Sequence, residues 1–134
     1  MAEFKSLEEA REFFKGDLFA TENGMQIDEL GEDYCKVSME LTSHHRNAMG
    51  GIMGGVTFTL GDFAFAVMQN HLHRPSVAQQ VSINFLAPPK GNRLIATAHL
   101  KRNGRTSTIV NVDVTDGEGR EIAQFIGTGY KLPG

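Results

Sequence analysis

The sequence predicts an α+β domain in which one β-sheet wraps around one buried helix. Residues 54–70 are apolar on nearly every face, carrying Val56, Phe58, Leu60, Phe63, Ala64, Phe65, Ala66, Val67 and Met68 with Asp62 as their one ionisable group. A helix of that composition must be enclosed by the rest of the fold. Strand-like alternation with recognised turn chemistry occurs on both sides of it. A chain of 134 residues lies near the modal domain length, so one domain covering residues 1–134 is expected to carry the whole function.

The elements follow in order. Ser6-Leu7-Glu8-Glu9 fits a capping box, with the Ser6 hydroxyl accepting from the third amide and Glu9 reaching back to the cap. A short amphipathic helix over about residues 6–15 follows, burying Leu7, Ala10, Phe13 and Phe14. Gly16 and Asp17 interrupt it. After a short connection, Met25, Ile27 and Leu30 alternate with polar neighbours, Gly31-Glu32-Asp33 turns the chain, and Cys35, Val37, Met39 and Leu41 resume the alternation in a partner strand. A polar loop over residues 44–51 leads into the long helix. Strands are then expected at 77–86, 94–101, 106–114 and 121–130, as a meander separated by Pro88-Pro89-Lys90-Gly91, Asn103-Gly104 and Asp116-Gly117-Glu118-Gly119. Asn103-Gly104 is the sharpest hairpin signal.

Composition excludes several functions. A formal net charge of -3 argues against a general nucleic-acid binder. The longest apolar stretch, residues 52–68, contains Asp62, three glycines and two threonines, which makes a poor membrane span. The first residues mix charges and offer no apolar core of a secretory signal, and Cys35 is the sole cysteine, so a cytoplasmic protein is expected. Cys35 reads as a half-buried strand residue. The five histidines form no ligand pattern, with His71 and His73 explained by the end of the long helix, and no metal is assigned.

Three features carry chemistry. Asp62 is a carboxylate among apolar neighbours; desolvation would make it a stronger base or nucleophile, while for the residue taken alone a stretch of helix emerging into solvent is the favoured explanation. Gly54-Gly55 is a poor pair for helix propensity but lets a carbonyl approach the free N–H groups of the first turn, as an oxyanion hole requires; close packing against a strand is the other explanation. Asn47 can donate and accept, and alone reads as a turn residue.

Taken jointly, Asn47-x-x-Gly50-x-x-Met53-Gly54-Gly55 followed by Leu60-x-Asp62 resembles the signature of the PaaI-like branch of the hotdog-fold acyl-CoA thioesterases, Asn-x-x-Gly-x-x-His-Gly-Gly followed by Leu-x-Asp. Ile83-Asn84-Phe85-Leu86-Ala87-Pro88, Asn103-Gly104-Arg105 and Ile122-Ala123-Gln124 also look like that family, so the resemblance covers about residues 19–132. It implies a curved antiparallel sheet around a long central helix, assembled as a homodimer or a dimer of dimers. It further implies hydrolysis of an acyl-CoA thioester, with Asp62 as general base or nucleophile, the Gly54 N–H as oxyanion donor and Asn47 orienting water or carbonyl. No cofactor is implied beyond the CoA of the substrate.

Gly54 and Asp62 are eight residues apart, about 12 Å along a helix. A site shared between subunits, as the family's arrangement implies, would bring them together. Substrate contacts are expected from Gly55 and Met53, from Phe58 and Phe65 lining the acyl pocket, and from Lys90, Arg102 and Arg105, together with Lys101 and Arg93, holding phosphates. The chain departs from the family at Met53, where the motif has His, and at Ala78, where many members place Ser or Thr; Gln79, Gln80 or Ser82 would compensate in a shifted register. Those departures keep a non-catalytic acyl-CoA binding module open as an alternative, with a hotdog hydratase or dehydratase behind it.

Overall fold

In the computed structural model, which describes residues 3–133, the first helix, α1 (Leu7–Phe14), starts where Ser6 Oγ accepts from the Glu9 amide at 3.1 Å. The return bond of Glu9 lands on the Lys5 amide at 2.9 Å, one residue before the cap itself. Ala10 and Phe14 are buried as expected, but Phe13 is 54% exposed, since its turn of the helix lies outside the stripe that meets the core. Asp17 does more than break this helix. Its Oδ1 accepts from the Ala20 amide at 3.1 Å and caps a second, five-residue helix, α2 (Leu18–Glu22), that the sequence reading passed over.

Strands β1 (Gln26–Leu30) and β2 (Tyr34–Glu40) pair antiparallel across the expected turn, with the Gly31 amide donating to the Tyr34 carbonyl at 2.8 Å. Cys35, Val37, Met39 and Leu41 all point inward. Cys35 is wholly rather than half buried; its thiol donates to the Ala64 carbonyl, and burial pushes it up to about 12, so the reactive thiolate is suppressed. A single 3-10 turn at Ser43–His45 precedes the long helix, α3 (Gly54–Leu72).

The last four strands are β3 (Ser76–Phe85), β4 (Arg93–Asn103), β5 (Ser107–Asp116) and β6 (Glu121–Lys131). They do not form the simple meander that local turn signals suggest. The sheet order is β1-β2-β4-β5-β6-β3, all antiparallel. Only β4, β5 and β6 meander; β3 leaves α3 along the far edge, against β6, and residues 86–92 carry the chain back across the sheet to β4 beside β2. The Leu86 and Ala87 amides donate to the Ile122 carbonyl and fasten the start of that crossing.

The sheet curls onto α3 because small residues on β6 and the helix let large ones nest. A methyl added at Gly127 would lie 2.9 Å from the Phe65 ring, and one at Gly61 would lie 3.0 Å from Phe125. Phe65 and Phe125 are themselves fully buried, with ring centroids 6.1 Å apart. The enclosure is incomplete along one stripe. Gly55, Thr59, Asp62, Ala66 and Asn70 recur at helical spacing and each retains exposure; from Leu60 onward the described positions between them are buried.

The histidines at the end of α3 are more specific than helix capping. His71 is buried, its Nδ1 accepting from the Phe4 amide while the two rings stack, which ties the N-terminal segment to the helix. His73 caps the helix through its own amide, which donates to the Gln69 carbonyl. Its Nε2 bonds the Leu132 carbonyl at 2.7 Å. No helix among the described residues is long and apolar enough to cross a membrane.

Candidate active site

The loop before α3 is closed on itself. Arg46 bridges to Ile52, the Asn47 amide donates to the Gly51 carbonyl at 2.8 Å, and Gly50 takes a positive φ of 87° that permits the tight return. Asn47 Oδ1 accepts from the amides of Met49 and Gly51 at 3.0 and 3.1 Å, so its carbonyl half shapes the loop as a turn residue would. Its Nδ2 makes no hydrogen bond among the described residues. The Met53 amide donates to the His45 carbonyl at 2.9 Å and fixes where the helix begins.

Met53 is the N-cap of α3, and its Sδ accepts from the Gly55 amide at 3.1 Å. This covers one of the free N–H groups with a weak acceptor. The Gly54 amide, one position earlier, has no acceptor among the described residues, and both glycines are exposed. Beside Gly54 opens a cavity of about 380 Å³, walled by Ile52, Thr57, Phe85, Leu86, Ala87, Pro88, Pro89 and Ile122. Among the described residues, then, the positive end of the helix dipole presents an unpaired donor to a cavity with largely apolar walls, a setting that favours developing negative charge.

Asp62 lies on the uncovered stripe of α3. It is half-buried and makes no hydrogen bond or ion pair among the described residues. Burial pushes its carboxyl above the ordinary aspartate range, and the Asp17 carboxylate at the start of α2 pushes the same way. Such a group is poised to take a proton. No side chain of β3 steadies it within the chain. The strand does carry an irregularity, between Ala78 and Gln80, but the Gln80 amide is spent on Ser82 Oγ at 3.1 Å and on the Val81 carbonyl.

The remaining sequence-predicted residues are sorted by the fold. Phe58 is half-buried with its ring 5.5 Å from that of Phe125. Phe65 departs from expectation: it is fully enclosed between α3 and β6, so it packs the core and offers no surface to an acyl group. Lys90 is exposed on the crossing loop, immediately after the prolines that wall the Gly54 cavity, and its amide donates to Asp116 at 3.0 Å. Arg102 and Arg105 are exposed at the opposite end of β4, on the order of 30 Å away along the strand. One chain cannot bring Lys90 and that hairpin to the same phosphates. Arg93 is engaged with Glu40 and Ser38 at 3.1 and 3.0 Å.

Sequence reasoning missed a second opening at the head of the helix. Phe19, Asn23, Met25, Met53, Gly55, Val56 and Thr59 enclose a crevice of about 80 Å³. Its outer wall is α2, the element too short to be read, so no local signal marked Phe19, and Met25 reads only as an apolar strand position. Among the described residues, no group of three or more His, Cys, Asp or Glu side chains is placed to hold a metal ion.

A six-stranded antiparallel sheet curled around a central helix, with an open amide at the helix start and a desolvated carboxylate on its flank, defines an enzyme of the hotdog architecture. Residues 49–123 match the family model described as the thioesterase superfamily, and the chain belongs to that superfamily, in its PaaI-like branch. It is 28% identical to acyl-coenzyme A thioesterase PaaI of Escherichia coli, over 97% of this chain and 94% of that one. It is 37% identical to a putative esterase of Deinococcus radiodurans, over 78% of this chain and 73% of that one. Among solved structures, the E. coli PaaI protein from the phenylacetic acid degradation operon matches with a TM-score of 0.88 at 26% identity, covering 96% of this chain and 98% of that one.

Proposed function

We propose that this chain is an acyl-CoA thioesterase that works in the cytoplasm as a homo-oligomer, with each reaction centre built from two subunits. The observation that carries the reading is the pairing, on one helix, of a Gly54 amide that has no acceptor among the described residues with a carboxyl that burial and Asp17 hold above its ordinary range. The acyl-coenzyme A thioesterase related to it over almost its whole length supports the substrate class.

In this mechanism the thioester carbonyl accepts from the Gly54 N–H of one subunit, and Asp62 of its partner takes a proton from water as the water oxygen attacks the carbonyl carbon. The tetrahedral oxyanion then collapses, the carbon–sulfur bond breaks, and the CoA thiolate leaves to be protonated by Asp62. Direct attack by the Asp62 carboxylate, giving a mixed anhydride that water then hydrolyses, uses the same two groups. In this reading the Nδ2 of Asn47, which makes no hydrogen bond among the described residues, orients the carbonyl or the water. Lys90, following the Gly54 cavity, takes phosphate charge at that end of the molecule, and Arg102 and Arg105 serve a CoA only from a different subunit.

The test is incubation of the protein and of Asp62→Ala with a panel of acyl-CoAs, reading free thiol and ligand binding together. Thiol release that the substitution abolishes is the expected result. Tight acyl-CoA binding by the unaltered protein without thiol release would make it a binding module, a reading supported by Met53 in place of an imidazole and by Ala78 in place of Ser or Thr.

A further inference from the structure

Two openings of different size meet the head of α3. Gly54 lines the cavity of about 380 Å³, whose wall runs past Phe85 and Pro88 to Pro89, the residue before Lys90; Met53 and Gly55, the chain neighbours of Gly54, line the crevice of about 80 Å³, with Phe19 and Met25. A thioester has two arms of different size. The pantetheine arm is long and ends in phosphates, which suits the larger, open cavity with a lysine beyond it. The acyl arm must then enter the crevice.

The crevice limits what that arm can be. Its walls are the side chains of Phe19, Met25, Met53 and Val56, with Thr59 and Asn23 as the polar members. Both polar side chains are already engaged within the chain: Thr59 Oγ1 donates to the Gly55 carbonyl at 2.7 Å, and Asn23 Nδ2 donates to the Phe19 carbonyl while its Oδ1 meets His45 Nε2. The volume is about half that of a cavity of roughly 150 Å³ that accepts benzene. Behind it lies another cavity, of about 240 Å³, lined by Arg11, Phe14, Thr21, Ile27 and Phe63, and Met25 belongs to the walls of both. Met25 is 5% exposed and packed in the core, and it is the residue that the two linings share.

Building on the acyl-CoA reading, we propose that the crevice is the acyl pocket, that it admits a short aliphatic acyl group of about two to four carbons, and that Met25 sets this limit by standing between the crevice and the neighbouring cavity. A longer chain or an aryl group meets the Met25 side chain. Shortening that side chain joins the two spaces and admits a longer substrate.

The experiment measures kcat/KM by thiol release for acetyl-, butyryl-, octanoyl- and phenylacetyl-CoA, with the unaltered protein, Met25→Ala and Phe19→Ala. The unaltered protein should prefer butyryl over octanoyl and over phenylacetyl by about tenfold or more, the scale on which a closed apolar pocket discriminates by size. Met25→Ala should shrink the butyryl-to-octanoyl ratio by about tenfold. Phe19→Ala, at an exposed position that folding tolerates, should raise KM for butyryl-CoA more than it lowers kcat. Octanoyl or phenylacetyl turnover equal to butyryl in the unaltered protein overturns the proposal. So does an unchanged ratio in Met25→Ala that melts cooperatively; should that variant not fold, an unchanged butyryl KM in Phe19→Ala overturns it. Absence of thiol release from every acyl-CoA would sink the thioesterase reading as well, whereas release with unmoved ratios sinks only the pocket.

Discussion

Gly54 and Asp62 stand on one unbroken helix, eight residues apart, with the glycine amide at its N-terminal end and the carboxylate on the stripe that the sheet leaves uncovered. That separation is about 12 Å along the axis, too far for one thioester carbonyl and its attacking water to bridge. The proposed chemistry therefore requires a second copy of the helix, and the consequences can be measured.

Asp62→Asn should separate activity from stability. Loss of the general base lowers kcat by about 10²–10⁴-fold. The folded-state pKa of Asp62 is raised, so the native form binds its proton more tightly than the unfolded chain does, and stability falls as pH rises from the unfolded value through the folded one. At neutral pH the ionised carboxylate is a burden on the fold, and the amide removes it. Thermal melts at pH 7 should show Asp62→Asn at least as stable as the parent. A lower melting temperature would mean that Asp62 has a structural partner.

Because burial first and Asp17 second raise the Asp62 carboxyl, the acid limb of the kcat/KM profile should lie above the ordinary aspartate range. Asp17→Asn keeps a side-chain acceptor for the Ala20 amide but removes the like charge, so the limb should move to lower pH. A pH–rate profile of the two proteins checks this, and an unmoved limb would detach Asp17 from the site.

Single turnovers in ¹⁸O-labelled water test direct attack by Asp62. Label appearing in its carboxylate, read by mass spectrometry of the peptide, marks a mixed anhydride opened at the Asp62 carbonyl; label in the released acid alone means that water attacked the acyl carbon.

Gly127→Ala should destabilise the fold by about 1–3 kcal/mol, the usual penalty of overpacking. The added methyl would press on the Phe65 ring at 2.9 Å, and that ring is fully buried. Chemical denaturation of the variant measures it.

Asp116 ties the crossing loop to the β5–β6 turn by accepting from the amides of Lys90, Glu118 and Arg120 at 2.9 to 3.0 Å. These bonds, led by Lys90, hold its carboxyl below the ordinary range against the opposing effect of burial. Its folded pKa is depressed, so the stability it confers is full above the unfolded value of about 3.9 and is lost as pH falls through the folded one. Asp116→Ala should melt at a lower temperature than the parent at pH 7, and the gap should close as pH drops below that window. A gap that stays constant in acid would show that the carboxylate charge contributes nothing.

Much of this arrangement is legible in the residues. Strand alternation in Cys35, Val37, Met39 and Leu41, and the turns at Gly31 and at Asn103-Gly104, mark elements that the structure places where local chemistry puts them. The motif around Asn47, Gly54 and Asp62 points to the helix start, because glycine pairs and lone carboxylates are costly in an apolar helix. What is not legible is non-local. Helix α2 spans five residues, less than two turns, and leaves no periodicity, so the crevice that it closes over Met25 had no signal. The place of β3 beside β6 depends on a crossing that no turn residue encodes. Phe65 and Phe58 look alike in sequence, and only the side of the helix that meets β6 decides that Phe65 is enclosed.

The most direct test of the shared centre combines two inactive variants. Gly54→Pro removes the amide hydrogen at the first helical position, where proline is tolerated and where the preceding Met53 already has the extended backbone that proline demands. Refolded together, Gly54→Pro and Asp62→Ala chains should form mixed dimers in which one of two centres pairs an intact Gly54 amide with an intact Asp62. The account predicts recovery of about a quarter of the parent thiol-release rate from an equal mixture, against near zero for either variant alone. If native mass spectrometry shows mixed dimers and the mixture stays as inactive as its components, the two groups do not meet across a subunit boundary and the proposed centre is wrong.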